Sequence, residues 1–228
     1  MESLASFPKN RTLQVIPVDL NSFIHNAYLS MSYLYERLGN NERHVYWYQK
    51  AVEIENSIRE ILWNDEDNIW YDYNMKLRDH RRKFYASNVT PLWTGAHRPE
   101  VAQKLGKIVA NYLKRHGILD YKGGIPTSLE YSGQQWDFPN AWPPLQAITV
   151  QGLERSGDKE AKELARELAT RWVMATMQGF KETGEMFEKY HSVEVGKHGG
   201  GGEYIIQTGF GWTNSSILEF IVTYFSDP

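Results

Sequence analysis

The sequence contains no cysteine, which removes disulfide staples, thiolate metal sites and cysteine nucleophiles. That suits a reducing compartment without requiring one, since cysteine-free proteins are also secreted. Positive charge is not in excess: 25 Lys and Arg stand against 28 Asp and Glu, for a formal net charge of -3, and no dense basic block occurs. Nucleic-acid binding needs a basic footprint, so nucleic acid is not an expected partner. No apolar run approaches the length of a membrane span. The opening Met1-Glu2-Ser3-Leu4-Ala5-Ser6-Phe7-Pro8 lacks a basic stretch followed by an apolar one, the mark of a signal peptide. Cytoplasmic and secreted locations both stay open. Glycosylation sequons at Asn10, Asn88 and Asn214 decide little, because chance produces such tripeptides often.

Apolar side chains and aromatic rings are present in quantity. With 228 residues, 41% of them hydrophobic, the chain is able to bury a substantial core. Its 8 Trp and 14 Tyr exceed what a core needs, which points to a cleft where flat rings face a ligand. The helical period dominates. A first stripe takes in Leu20, Phe23, Ile24, Ala27, Tyr28, Met31, Leu34 and Leu38, and Gly39 closes it. A second uses Val45, Tyr48, Val52, Ile58, Ile61 and Leu62. A third begins at Pro99 and ends at Gly117, and a fourth runs from Pro143 to about Arg155. A fifth is capped by Asp158 and places Ala161, Leu164, Ala165, Leu168, Trp172 and Ala175 on one face. The last spans about Asn214 to Phe225.

The connectors at 63–74, 85–95, 121–142 and 187–212 are rich in Trp, Tyr, Gly and Asn. Helix pairs joined by long aromatic loops suggest an all-α toroid of helical hairpins, with the loops gathered at one end around a pocket. The rival is a solenoid of helical repeats, but no fixed period is visible and the loops are too long for a plain repeat array. No linker divides the chain, so residues 1–228 read as one domain.

Three constellations bear on chemistry. Gln135-Trp136-Asp137-Phe138-Pro139-Asn140-Ala141-Trp142-Pro143-Pro144 interleaves amides and a carboxylate with indole rings. A sugar presents hydroxyls at its rim and C–H faces above and below, and this mixture suits it. The competing interpretation is a packed loop entering a helix, with Trp136 and Trp142 as core plugs. Next, Gly199-Gly200-Gly201-Gly202-Glu203-Tyr204 precedes Gln207-Thr208-Gly209-Phe210-Gly211-Trp212-Thr213-Asn214. Four glycines in a row give the backbone freedom of a lid. A phosphate cradle fails, since no Lys-Ser/Thr follows and Glu203 adds negative charge. A floppy surface loop is the bland alternative. Third comes Glu185-Met186-Phe187-Glu188-Lys189-Tyr190, which composition alone would leave as solvated surface.

Two metal patterns are weak. His191, Glu194 and His198 have no helix to hold them on one face. Asp65-Glu66-Asp67 starts like a calcium loop but lacks its Gly and closing Glu. No Gly-x-Ser-x-Gly elbow is present.

Residues 135–144 resemble the trehalase pattern Gln-Trp-Asp-aromatic-Pro-Asn-Gly/Ala-Trp-Ala/Pro-Pro. Residues 199–214 are similar to that family's glycine-rich motif, Glu188-Lys189-Tyr190 sits between the two as the family's Glu-Lys-Tyr does, and Pro17-Val18-Asp19-Leu20-Asn21 matches a family segment ahead of a helix. The resemblance covers essentially the whole chain. It implies an (α/α)6 toroid, trehalose as substrate, and hydrolysis of its α,α-1,1 bond with inversion, without cofactor or metal. It also implies roles. Glu188 matches the general base that activates water, Glu203 a substrate-binding carboxylate on the lid, and Trp142 a pocket tryptophan beside the cleaved glucose. Gln135, Trp136, Asp137 and Asn140 belong to the same substrate motif.

The family's Pro-Gly-Gly-Arg-Phe motif, its substrate-gripping arginines and the Ser-Gly-Trp-Asp-Phe-Ser segment that holds the catalytic acid have no counterpart here. The expectation is an incomplete toroid, a C-terminal part whose acid falls ahead of Met1. Asp137 is the one stand-in acid on offer, and the resemblance does not give it that role. Such a part is expected to expose apolar helix faces and to need its other half, or self-association. A non-catalytic sugar-binding or scaffold protein derived from the family is the alternative function.

Overall fold

The periodic segments become helices in the computed structural model, which describes residues 12–202 and 205–226. Helix α1 (Val18–Arg37) starts behind Pro17, and its first amide, on Val18, donates to the distant Asp72 carboxylate at 2.9 Å. Gly39 ends it in the left-handed region, φ +70°. Helix α2 (Asn41–Ser57) is capped by the Asn40 side chain, which accepts from the Arg43 amide at 3.1 Å. It runs on into a single wider turn, Ile58–Leu62. Helix α3 (Thr90–Thr94) is short and stopped by Gly95.

Helix α4 (Ala102–Arg115) follows a 3-10 turn opened by Pro99. Pro143 opens α5 (Pro143–Arg155), where its missing N–H costs nothing. The Asp158 carboxylate accepts from the Ala161 amide at 2.9 Å and so starts α6 (Lys159–Thr183), which Gly184 closes. Helix α7 (Gly211–Phe225) ends the series.

These helices form two layers. In one, α1 packs on α3, α3 on α5 and α5 on α7; behind it, α2 backs α1, α4 backs α3, and α6 backs α5 and α7. The buried apolar residues make a core cluster between the layers, with Tyr112, Trp142, Trp172, Tyr190 and Phe220 among its largest members. Short strands brace the connectors. Strands β1 (Val15–Ile16), β4 (Tyr73–Asn74) and β5 (Asp79–His80) pair antiparallel, as do β2 (Trp63–Asn64) and β3 (Ile69–Trp70). Strands β6 (Asn140–Ala141) and β7 (Tyr190–His191) pair as well. No helix among the described residues is long and apolar enough to cross a membrane.

The structure departs from the sequence reading in three places. Helix α7 begins three residues earlier than Asn214, at Gly211. Helix α3 lies inside what reads as a loop, because five residues are too few to show a period. The apolar stripe of α1 is not its buried face: Ser22, His25 and Ser32 are buried, while Leu20, Phe23, Leu34 and Leu38 are exposed. Ser22 donates to the Val18 carbonyl one turn back in its own helix and Ser32 to the His44 carbonyl of α2, so both buried hydroxyls are satisfied. Leu218, Val222 and Phe225 of α7 and Val45 and Tyr48 of α2 are likewise exposed. The helices at the two ends of the inner layer thus turn apolar side chains outward.

Candidate functional site

Backbone pairing brings the three constellations together. In the β6–β7 ladder Asn140 faces His191 and Ala141 faces Tyr190, which sets residues 135–144 beside Glu188 and Lys189. The glycine run then lies across both. The Gly199 amide donates to the Lys189 carbonyl at 3.0 Å, and the Gly200 amide donates to Asn140 Oδ1 at 2.7 Å. Only glycine permits this approach. A Cβ at Gly199 would sit 2.4 Å from Asn140 Oδ1, and one at Gly201 would sit 2.6 Å from the Gly133 carbonyl.

Glu188 is 4% exposed, not the solvated carboxylate that composition suggests. Its backbone is fixed from two sides: the amide donates to the Gln207 carbonyl at 2.9 Å, and the carbonyl accepts from Trp212 Nε1 at 3.0 Å. Thr213 adds a hydroxyl bond to the Phe187 carbonyl at 2.7 Å. The first turn of α7 therefore holds the glutamate in place, and the Trp-Thr-Asn end of the glycine-rich motif has a physical reason to accompany it.

Trp142 is 1% exposed and Trp136 45%; their rings stack at 4.0 Å with 3° between planes. The Trp212 ring meets Trp142 edge-on at 5.5 Å, and Trp142 Nε1 donates to the Gln135 carbonyl at 2.8 Å. Trp142 is thus the buried base of an indole stack, and Trp136 is its solvent-facing member. Asn140 is buried and holds the glycine run through its side chain. Both oxygens of Asp137 accept from hydroxyls, one from Ser128 at 2.8 Å and the other from Ser132. That bonding braces the 128–137 turn. Glu203 and Tyr204 lie outside the described residues, as does the Asn10 sequon. Asn88 is 1% exposed and donates to the Lys83 carbonyl at 2.9 Å, so its sequon is closed in this fold.

Sequence reasoning missed Lys189. Its side chain is fully buried, and its Nζ donates to Gln135 Oε1 at 3.1 Å and to the Gly201 carbonyl at 3.2 Å. The ammonium also stands 5.0 Å from the Trp142 ring centre. Burial pulls its pKa below the usual lysine value, and the negative charge of Glu188 opposes that. The one signal was its place inside Glu-Lys-Tyr between two aromatic motifs.

No group of three metal-ligating side chains occurs among the described residues. His191 Nε2 stands 3.6 Å from Glu194, while its Nδ1 accepts the Glu194 amide at 3.0 Å. Asp65 is taken up by Arg59 and Trp63 Nε1, both at 2.9 Å. A hollow of about 220 Å³ opens at the seam between the glycine run and residues 131–140. A larger one, about 420 Å³, lies between α2 and α4; Asp65 lines it, but none of the residues of the three sugar-suited constellations does. Asn140, Gly200 and Gly201 line the smaller hollow, together with Tyr131, Phe138 and His191, whereas Glu188, Trp136 and Trp142 do not.

Residues 2–225 match the family model described as Trehalase. The trehalase of Tenebrio molitor is 50% identical over 94% of this chain and 39% of its own length. The human trehalase is 41% identical over 94% of this chain and 36% of its own. The chain therefore spans well under half the length of the curated relatives it matches. Among solved structures, the neutral trehalase Nth1 from Saccharomyces cerevisiae superposes with a TM-score of 0.70 at 22% identity, over 94% of this chain and 38% of that one. At that identity the likeness carries the fold alone, and the fold is the helical toroid expected from the alternating hairpins. With the matching model and the 50% relative covering nearly every residue, the chain belongs to the trehalase family.

Proposed function

We propose that this chain forms the base-bearing wall of an inverting trehalase site, with Glu188 activating the water that attacks trehalose. The observation that carries this reading is the convergence of three motifs on one buried carboxylate. Glu188 is buried, its carbonyl is held by Trp212 against the Trp142 stack, and its neighbour Lys189 bonds both Gln135 and the glycine flap. A carboxylate buried away from bulk water meets only the water admitted to it, which suits a residue that activates a single attacking water.

The remaining roles follow from geometry and family membership. Trp136 offers an exposed indole face for a pyranose ring, with Trp142 stiffening it from below. Gln135 and Asn140 hold the wall and the flap in register. Asp137 fixes the turn that carries them, and for Glu203 family membership alone supports the binding of sugar hydroxyls.

Inversion needs a second carboxyl, roughly 6.5–9.5 Å from the base, to protonate the leaving oxygen. Asp137 is spent on two serine hydroxyls, so we place the acid outside this chain. The apolar faces of α1 and α7 support the same reading, since the helices that complete a toroid would cover them. The isolated chain is expected to release no glucose from trehalose above background. Its complex with the preceding portion of a related trehalase is expected to hydrolyse trehalose. Full activity of the isolated chain as a stable monomer would overturn this division. The non-catalytic alternative predicts binding without release even in the complemented protein.

A further inference from the structure

Three strands of the site pass within reach of one ammonium group, and that group has no chemical part in the proposed hydrolysis. Lys189 is completely buried, yet lysine is a side chain that seldom gives up water without recompense. The bonds it gains show where the recompense lies. One N–H goes to Gln135 Oε1 on the sugar-facing wall, at 3.1 Å, and another to the Gly201 carbonyl on the glycine flap, at 3.2 Å. The charge rests against the Trp142 ring at 5.0 Å. The Lys189 backbone carbonyl takes the Gly199 amide as well, at 3.0 Å.

We propose that Lys189 is a latch, a positioning residue whose ammonium fastens the flap of residues 199–202 to the Gln135–Trp142 wall. Gly201 and Gly202 adopt φ +72° and +89°, a backbone that is cheap to form and cheap to leave in glycine. A flap of this kind has little to keep it closed by itself. Asn140 holds it at Gly200, and Lys189 holds it one residue further on, at Gly201. The stem carbons add bulk under the flap, since a Cβ at Gly199 would meet Lys189 Cγ at 3.0 Å. In sequence, Glu203 and Tyr204 follow the latched residues directly. The latch's value to catalysis rests on the sugar-site reading above; the fastening itself does not.

The test is hydrogen–deuterium exchange on the whole 228-residue chain, comparing wild type with Lys189→Met and Gln135→Leu. Lys189→Met keeps the length of the stem and removes the donors. The latch predicts that amides of residues 199–202 exchange roughly tenfold to a hundredfold faster in Lys189→Met, the size expected of hydrogen bonds to a charged group. Gln135→Leu removes one acceptor and should give a smaller rise in the same amides. In both variants the amides of α5 and α6 should keep wild-type rates. Unchanged flap exchange would overturn the latch, as would a uniform rise through α5 and α6, which is what a purely structural lysine would produce. If Lys189→Met does not fold, Gln135→Leu decides alone, and wild-type flap exchange in that variant sinks the proposal. Added trehalose separates the two claims. A flap released by Lys189→Met but never protected by trehalose in wild type keeps the latch and removes the sugar reading.

Discussion

Gly199 and Gly200 are neighbours in sequence, and the structure gives them opposite tolerances. A Cβ at Gly199 meets Asn140 Oδ1 at 2.4 Å, Lys189 Cγ at 3.0 Å and the Tyr190 carbonyl at 3.1 Å. Asn140 and Lys189 are both buried, so neither swings aside freely. At Gly200 a Cβ has nothing within 4 Å. Gly199→Ala therefore overpacks a filled site, at a typical cost of about 1–3 kcal/mol. It also strains the Gly200 to Asn140 bond beside it, worth about 1 kcal/mol. Gly200→Ala keeps its amide bond, and restricting the unfolded chain offsets any small loss by roughly 0.4–1 kcal/mol. For a chain of this length, 1 kcal/mol moves the melting temperature by about 2–4 °C. Thermal unfolding should show Gly199→Ala lowered by about 4–16 °C and Gly200→Ala within about 2 °C of wild type. Equal melting of the two variants would show that the flap is not seated on Asn140 as described.

Three further outcomes follow from other parts of the fold. Burial, reinforced by the positive potential of His97, lowers the His25 pKa to about 4, while an unfolded histidine titrates near 6.5. As pH falls from about 6.5 to 4 the unfolded chain takes up a proton that the folded one refuses, so stability drops across that window. His25 accounts for about 3 kcal/mol of the loss. Urea unfolding at several pH values should show a shallower acid slope in His25→Gln, and an identical slope would contradict the assignment. Asp158→Ala removes the α6 cap and should cost about 1 kcal/mol by the same unfolding assay, whereas Asp158→Asn should cost much less. Leu218→Glu together with Val222→Glu breaks the exposed apolar face of α7. Size-exclusion chromatography should show less self-association than wild type with the melting temperature kept, and unchanged elution would mean that this face does not drive association.

The hairpin architecture was legible because helix starts and stops are local. Asp158, Pro99, Pro143, Gly39 and Gly117 each announce a boundary through backbone chemistry that tertiary structure does not override. The burial pattern of α1 was not legible. An apolar stripe states that a face seeks cover but not which neighbour supplies it, and here the buried polar residues of α1 are Ser22, His25 and Ser32, the last two facing Glu55 and His44 of α2. Helix α3 was hidden for the opposite reason, being too short to show a period.

Within the site, residues 135–144 and the glycine run stood out by composition, because rings and amides in alternation are uncommon. Glu188 and Lys189 did not. A Glu-Lys pair looks like solvated surface, and only the β6–β7 pairing and the overlying flap reveal that both are buried. Long-range pairing of this kind leaves no mark on either segment alone. Resemblance to the family identified Glu188; nothing short of coordinates identified the contacts of Lys189.

The central claim is that Glu188 is the water-activating base of a trehalose site. The measurement that tests it most directly is made in a chimera, with this chain replacing the matching segment of the Tenebrio molitor trehalase, to which it is 50% identical. Glucose release from trehalose is then compared with and without Glu188→Gln. Removing a general base should lower kcat by roughly 10²–10⁴-fold while leaving the KM for trehalose little changed. A folded chimera that hydrolyses trehalose equally well with glutamine at position 188 would contradict the account.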